Sequence, residues 1–134
     1  QLMYLASQAL RAPHIVISLI NDMTLEMDRS IQIKAMSSEV RMSILRLLAE
    51  PQKHFGHQWS ADPLAFGVCM TTIAEKIAVS QPTASRHLDI LRQAELISVQ
   101  KHQKWSYCKR NEAAIGDYLT WLHAELALQS TAAK

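Results

Sequence analysis

Residues 80–96 read SQPTASRHLDILRQAEL, and this stretch restricts the fold more than any other part of the chain. Ser80 is placed as a helix N-cap, because its hydroxyl can accept a hydrogen bond from an orphan N–H one turn in. Pro82 follows in the first turn, where a missing N–H costs nothing. Ala84, Leu88 and Leu91 recur at spacings of four and three, a single apolar stripe for a core. The opposite side carries Pro82, Arg86, Asp89 and Gln93, flanked by Thr83, Ser85 and His87. Just upstream, TTIAEKIAVS predicts a second short helix, capped by Thr71 or Thr72, with Ile73, Ala74 and Ile77 facing inward. Two short helices joined by a turn through Val79 and Ser80 form a helix-turn-helix, whose second member can lie in a DNA major groove.

The flanking segments extend this unit. A helix is expected from about Thr24 to Ala35, and SSEVRMSILRLLAE predicts another. In the latter, Ser37 or Ser38 is the cap, Val40, Ile44, Leu47 and Leu48 line one face, and Pro51 lies just past the end. A connection from Gln52 to Val68 is too long for a structureless loop, and its Phe55, Trp59, Leu64 and Phe66 predict packing on the body. Behind the helix-turn-helix, Leu96–Lys101 and Trp105–Arg110 are β-prone runs joined by a polar turn, a hairpin that is the most basic part of the chain. A last helix carries Ala114, Tyr118, Trp121, Leu122, Glu125 and Leu128 at helical spacing. The expected fold class is mainly α with a small β-hairpin, a winged helix-turn-helix. The expected division is an N-terminal extension over residues 1–22, the DNA-binding and dimerisation domain over 23–128, and a tail over 129–134.

Composition agrees with a packed domain and narrows the function. With 134 residues, 49% of them hydrophobic, the chain can bury a real core. A net charge of +2 neither requires nor excludes nucleic acid, so the distribution of charge must decide. Two cysteines do not make a secreted disulfide framework. The apolar run Ile15–Ile20 is far below the roughly 20 residues of a membrane span, and a cytoplasmic protein without membrane contact is expected. An enzyme is not expected: GxSxG, P-loop and GxGxxG patterns are all missing, and three glycines leave little scope for a phosphate-cradling loop.

AMSSEVRMSILRLLAE, TTIAEKIAVSQPTASRHLDILRQAELI and WSYCKRNEAA together resemble the ArsR family of bacterial transcriptional repressors, over about residues 30–128. The SxxTxSRHL pattern is the most specific part. Glu95 departs from the family, which usually has glycine after the recognition helix, and the loop before the helix-turn-helix is lengthened. The resemblance implies that Ser80, Gln81, Thr83, Ser85, Arg86 and His87 face the major groove or its phosphates. Gln81 and Arg86 suit base readout, whereas Thr83 and Ser85 suit backbone positioning. Lys101, His102 and Lys104 at the wing tip are expected to reach the adjacent minor groove or its phosphates. Any one of these residues could be plain surface polarity; their order of cap, turn, helix and basic hairpin makes the set a DNA-binding surface.

The resemblance also implies a homodimer on an inverted-repeat operator, paired through the first and last helices, with Leu25, Ile31, Tyr118, Trp121, Leu122 and Leu128 as candidates. The other reading of those side chains is packing within one chain. A rival for the whole protein is a winged-helix module used for protein–protein dimerisation without DNA. Such repressors typically release DNA on binding an effector. No cofactor is required by the sequence, and both metal sites of the family look broken: Cys69 is followed by Thr71 where a second cysteine would stand, and Leu119 occupies a histidine position near Asp117, His123 and Glu125. His54 and His57 form an HxxH that could hold a metal ion. Cys69, close to a helix N-terminus, and Cys108, beside Lys109 and Arg110, are candidates for a thiol switch, or else inert apolar residues.

Overall fold

The computed structural model describes residues 27–127. Leu25 and Leu128, two of the expected pairing residues, lie outside them, as do the expected extension over 1–22 and the tail over 129–134. The order is α1 (Arg29–Met36), α2 (Glu39–Ala49), α3 (Pro51–Phe55), β1 (Val68–Cys69), α4 (Met70–Ile77), α5 (Gln81–Gln93), β2 (Ile97–His102), β3 (Trp105–Arg110) and α6 (Glu112–Glu125). The fold is therefore mainly helical, with one small antiparallel sheet of order β1-β3-β2.

Local chemistry sets most boundaries. Asp28 caps α1 by accepting from the Ser30 N–H, so that helix begins at Arg29, later than the expected start near Thr24. Of the two serines that could cap α2, Ser38 does so through the Arg41 N–H. Ser80 caps α5 through the Thr83 N–H, and Asn111 caps α6 through the Ala114 N–H. Pro51 lies just past the end of α2, as expected, and also starts the short α3, where its ring is preformed for the first turn. At α4 the sequence reading is corrected. Neither Thr71 nor Thr72 is the cap; Cys69 occupies that position without a side-chain bond, because its backbone is already committed to β1.

Ala84, Leu88 and Leu91 of α5 are buried against Ile44, Leu45 and Leu48 of α2, Ile73 of α4 and Val68, Ile97 and Cys108 of the sheet. Each large aliphatic side chain so buried contributes about 1.5–3 kcal/mol relative to exposure. This core holds the back of α5 and leaves its front free.

The long connection differs from expectation in what it covers. Phe55 is fully buried, but Trp59, Leu64 and Phe66 are exposed. Phe55 packs into the helical core, while Trp59 and Phe66 lie along the sheet. Register explains it: Val68 pairs with Cys108 and Cys69 with Tyr107, so Cys69, Tyr107, Trp105 and His102 share the sheet's outer face. Phe66 packs on His102 and Tyr107 with ring centroids 5.8 and 6.3 Å apart, and Trp59 meets Trp105 edge-on at 6.1 Å. Gln58 fastens the segment, accepting from the Cys69 N–H at 2.7 Å and donating to the Ala61 and Gly67 carbonyls. Gly67 has φ +100°, and a Cβ there would stand 2.7 Å from the Cys108 carbonyl oxygen, so only glycine lets β1 approach β3.

Three turns use left-handed backbone without glycine. Ala78 (φ 58°) closes α4, Glu95 (φ 60°) follows α5, and Gln103 (φ 55°) forms the hairpin turn. At Glu95 the helix stop survives the missing glycine because the Glu95 carbonyl accepts from Asn111 Nδ2 at 3.0 Å and Leu96 N–H returns to the Leu91 carbonyl. Left-handed residues other than glycine carry a steric cost of roughly 1–2 kcal/mol, partly offset by the greater chain entropy that glycine loses. Ala78→Gly is expected to stabilise the fold by about 0.5–1 kcal/mol, seen as a higher urea midpoint with an unchanged slope.

Candidate nucleic-acid interface

The front of α5 is built by its own periodicity. With Ala84, Leu88 and Leu91 turned inward, Gln81, Thr83, Ser85 and Arg86 must face solvent, and all four are exposed. Ser80 closes the N-terminus twice over: its Oγ accepts from the Thr83 N–H and bonds the Thr83 hydroxyl at 2.9 Å. Asp89 is taken up by Arg92 and Gln93 one turn further on, at 2.7 and 2.9 Å. That leaves Arg86 without a carboxylate within ion-pair distance among the described residues.

His87 differs from its neighbours. It is half-buried, and Arg41 Nη1 lies 3.0 Å from its Nδ1. A guanidinium has no acceptor, so Nδ1 must be the unprotonated nitrogen and the proton sits on Nε2. The same Arg41, itself buried, donates from Nε to the Ala35 carbonyl at 2.7 Å and from Nη2 to the Lys34 carbonyl at 3.0 Å. Both carbonyls lie in the last turn of α1, where a cation is favoured. Burial, then the charges of Arg41 and Arg86, hold the His87 pKa below its ordinary 6.5. A second bond ties the far end of α5: buried Gln32 donates to the Ala94 carbonyl at 3.3 Å. Gln32 is held in turn by Arg29, which also pairs with Asp117 of α6 at 2.9 Å. Sequence reasoning missed both Arg41 and Gln32; a polar residue at an inward helical position was the available signal.

On the wing, Lys101, His102 and Lys104 are exposed, and the Lys104 ammonium lies 5.1 Å from the Trp105 ring centre. Arg110 at the base of β3 is committed to Glu112 and the Leu45 carbonyl. The candidate major-groove and wing residues therefore stand on one helix front and one hairpin tip, a short helix-turn-helix with a basic wing beside it.

Cys69 and Cys108 are one residue out of register on paired strands, so their side chains leave opposite faces of the sheet and cannot bridge within one chain. Both are buried and unpaired. Burial, reinforced by the neighbouring Cys69, pushes the Cys108 thiol up to about 12, which removes reactive thiolate at neutral pH. His54 lines a hollow with residues of α2, including Glu39 and Arg46, whereas His57 lines another with Trp59 and Gln81. Among the described residues no group of three or more histidine, cysteine, aspartate or glutamate side chains could hold a metal ion.

The pairing candidates divide. Tyr118 is 5% exposed and stacks on Trp121 within the chain, so its place is internal. Trp121 is half-buried beneath the Arg29 guanidinium and Leu122 is half-buried, while Ile31 remains exposed. Leu119 and Leu126, 54% and 59% exposed, add to this apolar surface and were not foreseen.

Known proteins agree with the class that this architecture defines, a winged helix-turn-helix protein. Residues 36–100 match the family described as a helix-turn-helix domain. The HTH-type transcriptional regulator YbzH of Bacillus subtilis is 41% identical over 93 residues, covering 69% of this chain and 93% of YbzH. The transcriptional repressor SdpR of Bacillus subtilis is 38% identical over 50 residues, covering 37% of this chain and 56% of SdpR. The crystal structure of an ArsR family transcriptional regulator shares the fold at a TM-score of 0.56 and 13% identity, covering 73% of this chain and 86% of that one. This chain belongs to the HTH-type transcriptional regulators, and its winged helix-turn-helix fold is shared with a solved ArsR family regulator. No helix among the described residues is long and apolar enough to cross a membrane.

Two outcomes follow from the site's geometry. Arg41→Met removes the donor held by the buried Ala35 carbonyl and is expected to cost about 1–3 kcal/mol. In NMR titrations it should also move the His87 pKa up toward 6.5, incompletely because burial persists. In the wild type, the neutral ring's contribution is fully present above pH 6.5 and is lost as pH falls below it, since the unfolded chain then binds the proton first. Separately, a maleimide reagent at neutral pH should leave Cys108 unmodified in the native protein and label it rapidly in urea, as read by mass spectrometry of the peptides.

Proposed function

We propose that this regulator is a homodimeric repressor that binds an inverted-repeat operator. The reading is carried by the exposed front of α5, whose Gln81 and Arg86 are free to meet base edges while the core and Arg41 fix the helix behind them. Glutamine suits adenine and arginine suits guanine in the major groove. Ser80, Thr83 and Ser85 position the helix on phosphates, and His87 offers its Nε2–H to an acceptor beside them. Lys101, His102 and Lys104 hold the flanking backbone.

One module makes few contacts, and a two-fold dimer doubles them on half-sites about one helical turn, or a multiple, apart. Ile31, Leu119, Trp121, Leu122 and Leu126 are the described apolar side chains available for pairing. The printed description of SdpR as a repressor supports the sign of regulation. Release of DNA by an effector remains part of the proposal. Thiol oxidation is a poor trigger for it, given two buried cysteines on opposite sheet faces, and so is metal at His54 and His57, which line different hollows. The rival reading, a dimerisation module without DNA, loses to family membership and to the free Arg86.

Selection of bound fragments from randomised duplex DNA should return an inverted repeat, and sedimentation should give a dimer; monomeric protein selecting no sequence would overturn the reading. On the selected duplex, Arg86→Ala should cost about 1–3 kcal/mol and relax preference at one position of each half-site. Lys104→Ala should weaken all sequences alike and flatten the salt dependence of binding by about one unit of slope.

A further inference from the structure

Trp59 is the most exposed large hydrophobic residue described, at 85%, yet it has neighbours of its own. It sits on the lengthened segment between α3 and β1, meets Trp105 of the wing edge-on at 6.1 Å and an interplanar angle of 85°, and follows Gln58, whose side chain accepts from the Cys69 N–H of β1 and donates to the Gly67 and Ala61 carbonyls. Trp105 in turn carries the Lys104 ammonium over its ring. Trp59, Trp105 and Lys104 form one wall of an open hollow of about 650 Å³, with Gln81 at the start of α5 and Thr71 at the start of α4 on the other. The hollow thus lies between the two elements assigned to DNA and shares a residue with each. Glu75 is the single acid along it.

We propose that the lengthened segment is a third DNA-contacting element, and that Trp59 lies against the sugar–phosphate backbone of the strand crossing this hollow. The inference rests on the DNA-binding reading of α5 and the wing. An indole suits this place because its ring can lie along deoxyribose while Nε1–H donates to a phosphate oxygen. A polar partner such as DNA backbone, with Lys104 at its edge, matches the charge of the wall. The segment would then set how far the wing reaches, since Trp59 and Phe66 together clad the outer face of the hairpin.

The test uses the full chain and a labelled 30-base-pair duplex of mixed sequence at low salt, followed by fluorescence anisotropy. Trp59→Ala is expected to weaken binding about five- to tenfold with an unchanged salt slope, because an uncharged ring displaces no counterion. Lys104→Ala, by contrast, lowers the slope. In acrylamide quenching, the duplex should shield Trp59 and Trp105 in the wild type and only Trp105 in Trp59→Phe, whose thermal midpoint verifies its fold. Wild-type affinity in Trp59→Ala, or a shielded emission in Trp59→Phe equal to that of the wild type, overturns the proposal while leaving the roles of α5 and the wing intact. A wild-type protein that fails to bind the duplex overturns the DNA-binding reading itself.

Discussion

The guanidinium of Arg41 is the interaction on which the working surface depends. It is buried, and it spends its donors on the last carbonyls of α1 and on the ring of His87 in α5. A buried charge is tolerated only when its donors are satisfied, so the three elements it touches cannot shift independently without stranding one of them. The result is a recognition helix whose apolar back is held by the core and whose side is held by a directional polar contact. Hydrophobic packing alone is nondirectional and would allow α5 to roll or slide by fractions of a turn. His87 in consequence is presented in a single tautomer, with its proton on the nitrogen away from Arg41.

Gln32 plays the matching part at the other end of α5. Its amide holds the Ala94 carbonyl, Arg29 holds its oxygen, and Asp117 of α6 holds Arg29. Of the helices that carry the exposed apolar side chains, α1 is therefore hydrogen-bonded to the C-terminal end of α5, and α6 joins it through Asp117 and Arg29. Any change in how α1 and α6 meet a partner would be felt at α5 through polar contacts of fixed geometry. This is a physical route by which pairing and DNA contact can be linked, independent of the cysteines.

The sheet shows how one register decides several properties at once. Pairing Val68 with Cys108 sends Cys108 into the core and Cys69 to the outer face, which separates the thiols despite their nearness along the strands. It also brings Trp105 and Tyr107 to the outer face, where Trp59 and Phe66 cover them. A hairpin otherwise held by its own ladder thereby becomes a two-layered wing.

The periodicity of α5, its Ser80 cap and its Pro82 are local properties, and they determined by themselves that this helix forms, which side it buries and which residues it displays. The same holds for the helix-turn-helix order and the basic hairpin, since spacing and turn chemistry act over a few residues. What the chain could not declare were relations between distant residues. That Arg41 would meet His87, 46 positions away, depends on α2 crossing α5. That Thr71 and Thr72 would yield the α4 cap to Cys69 depends on a strand pairing with β3, and that Tyr118 would turn inward while Leu119 stayed out depends on which face of α6 is covered. A side chain's role at such places is set by the partner that arrives from elsewhere, and only tertiary packing brings that partner in.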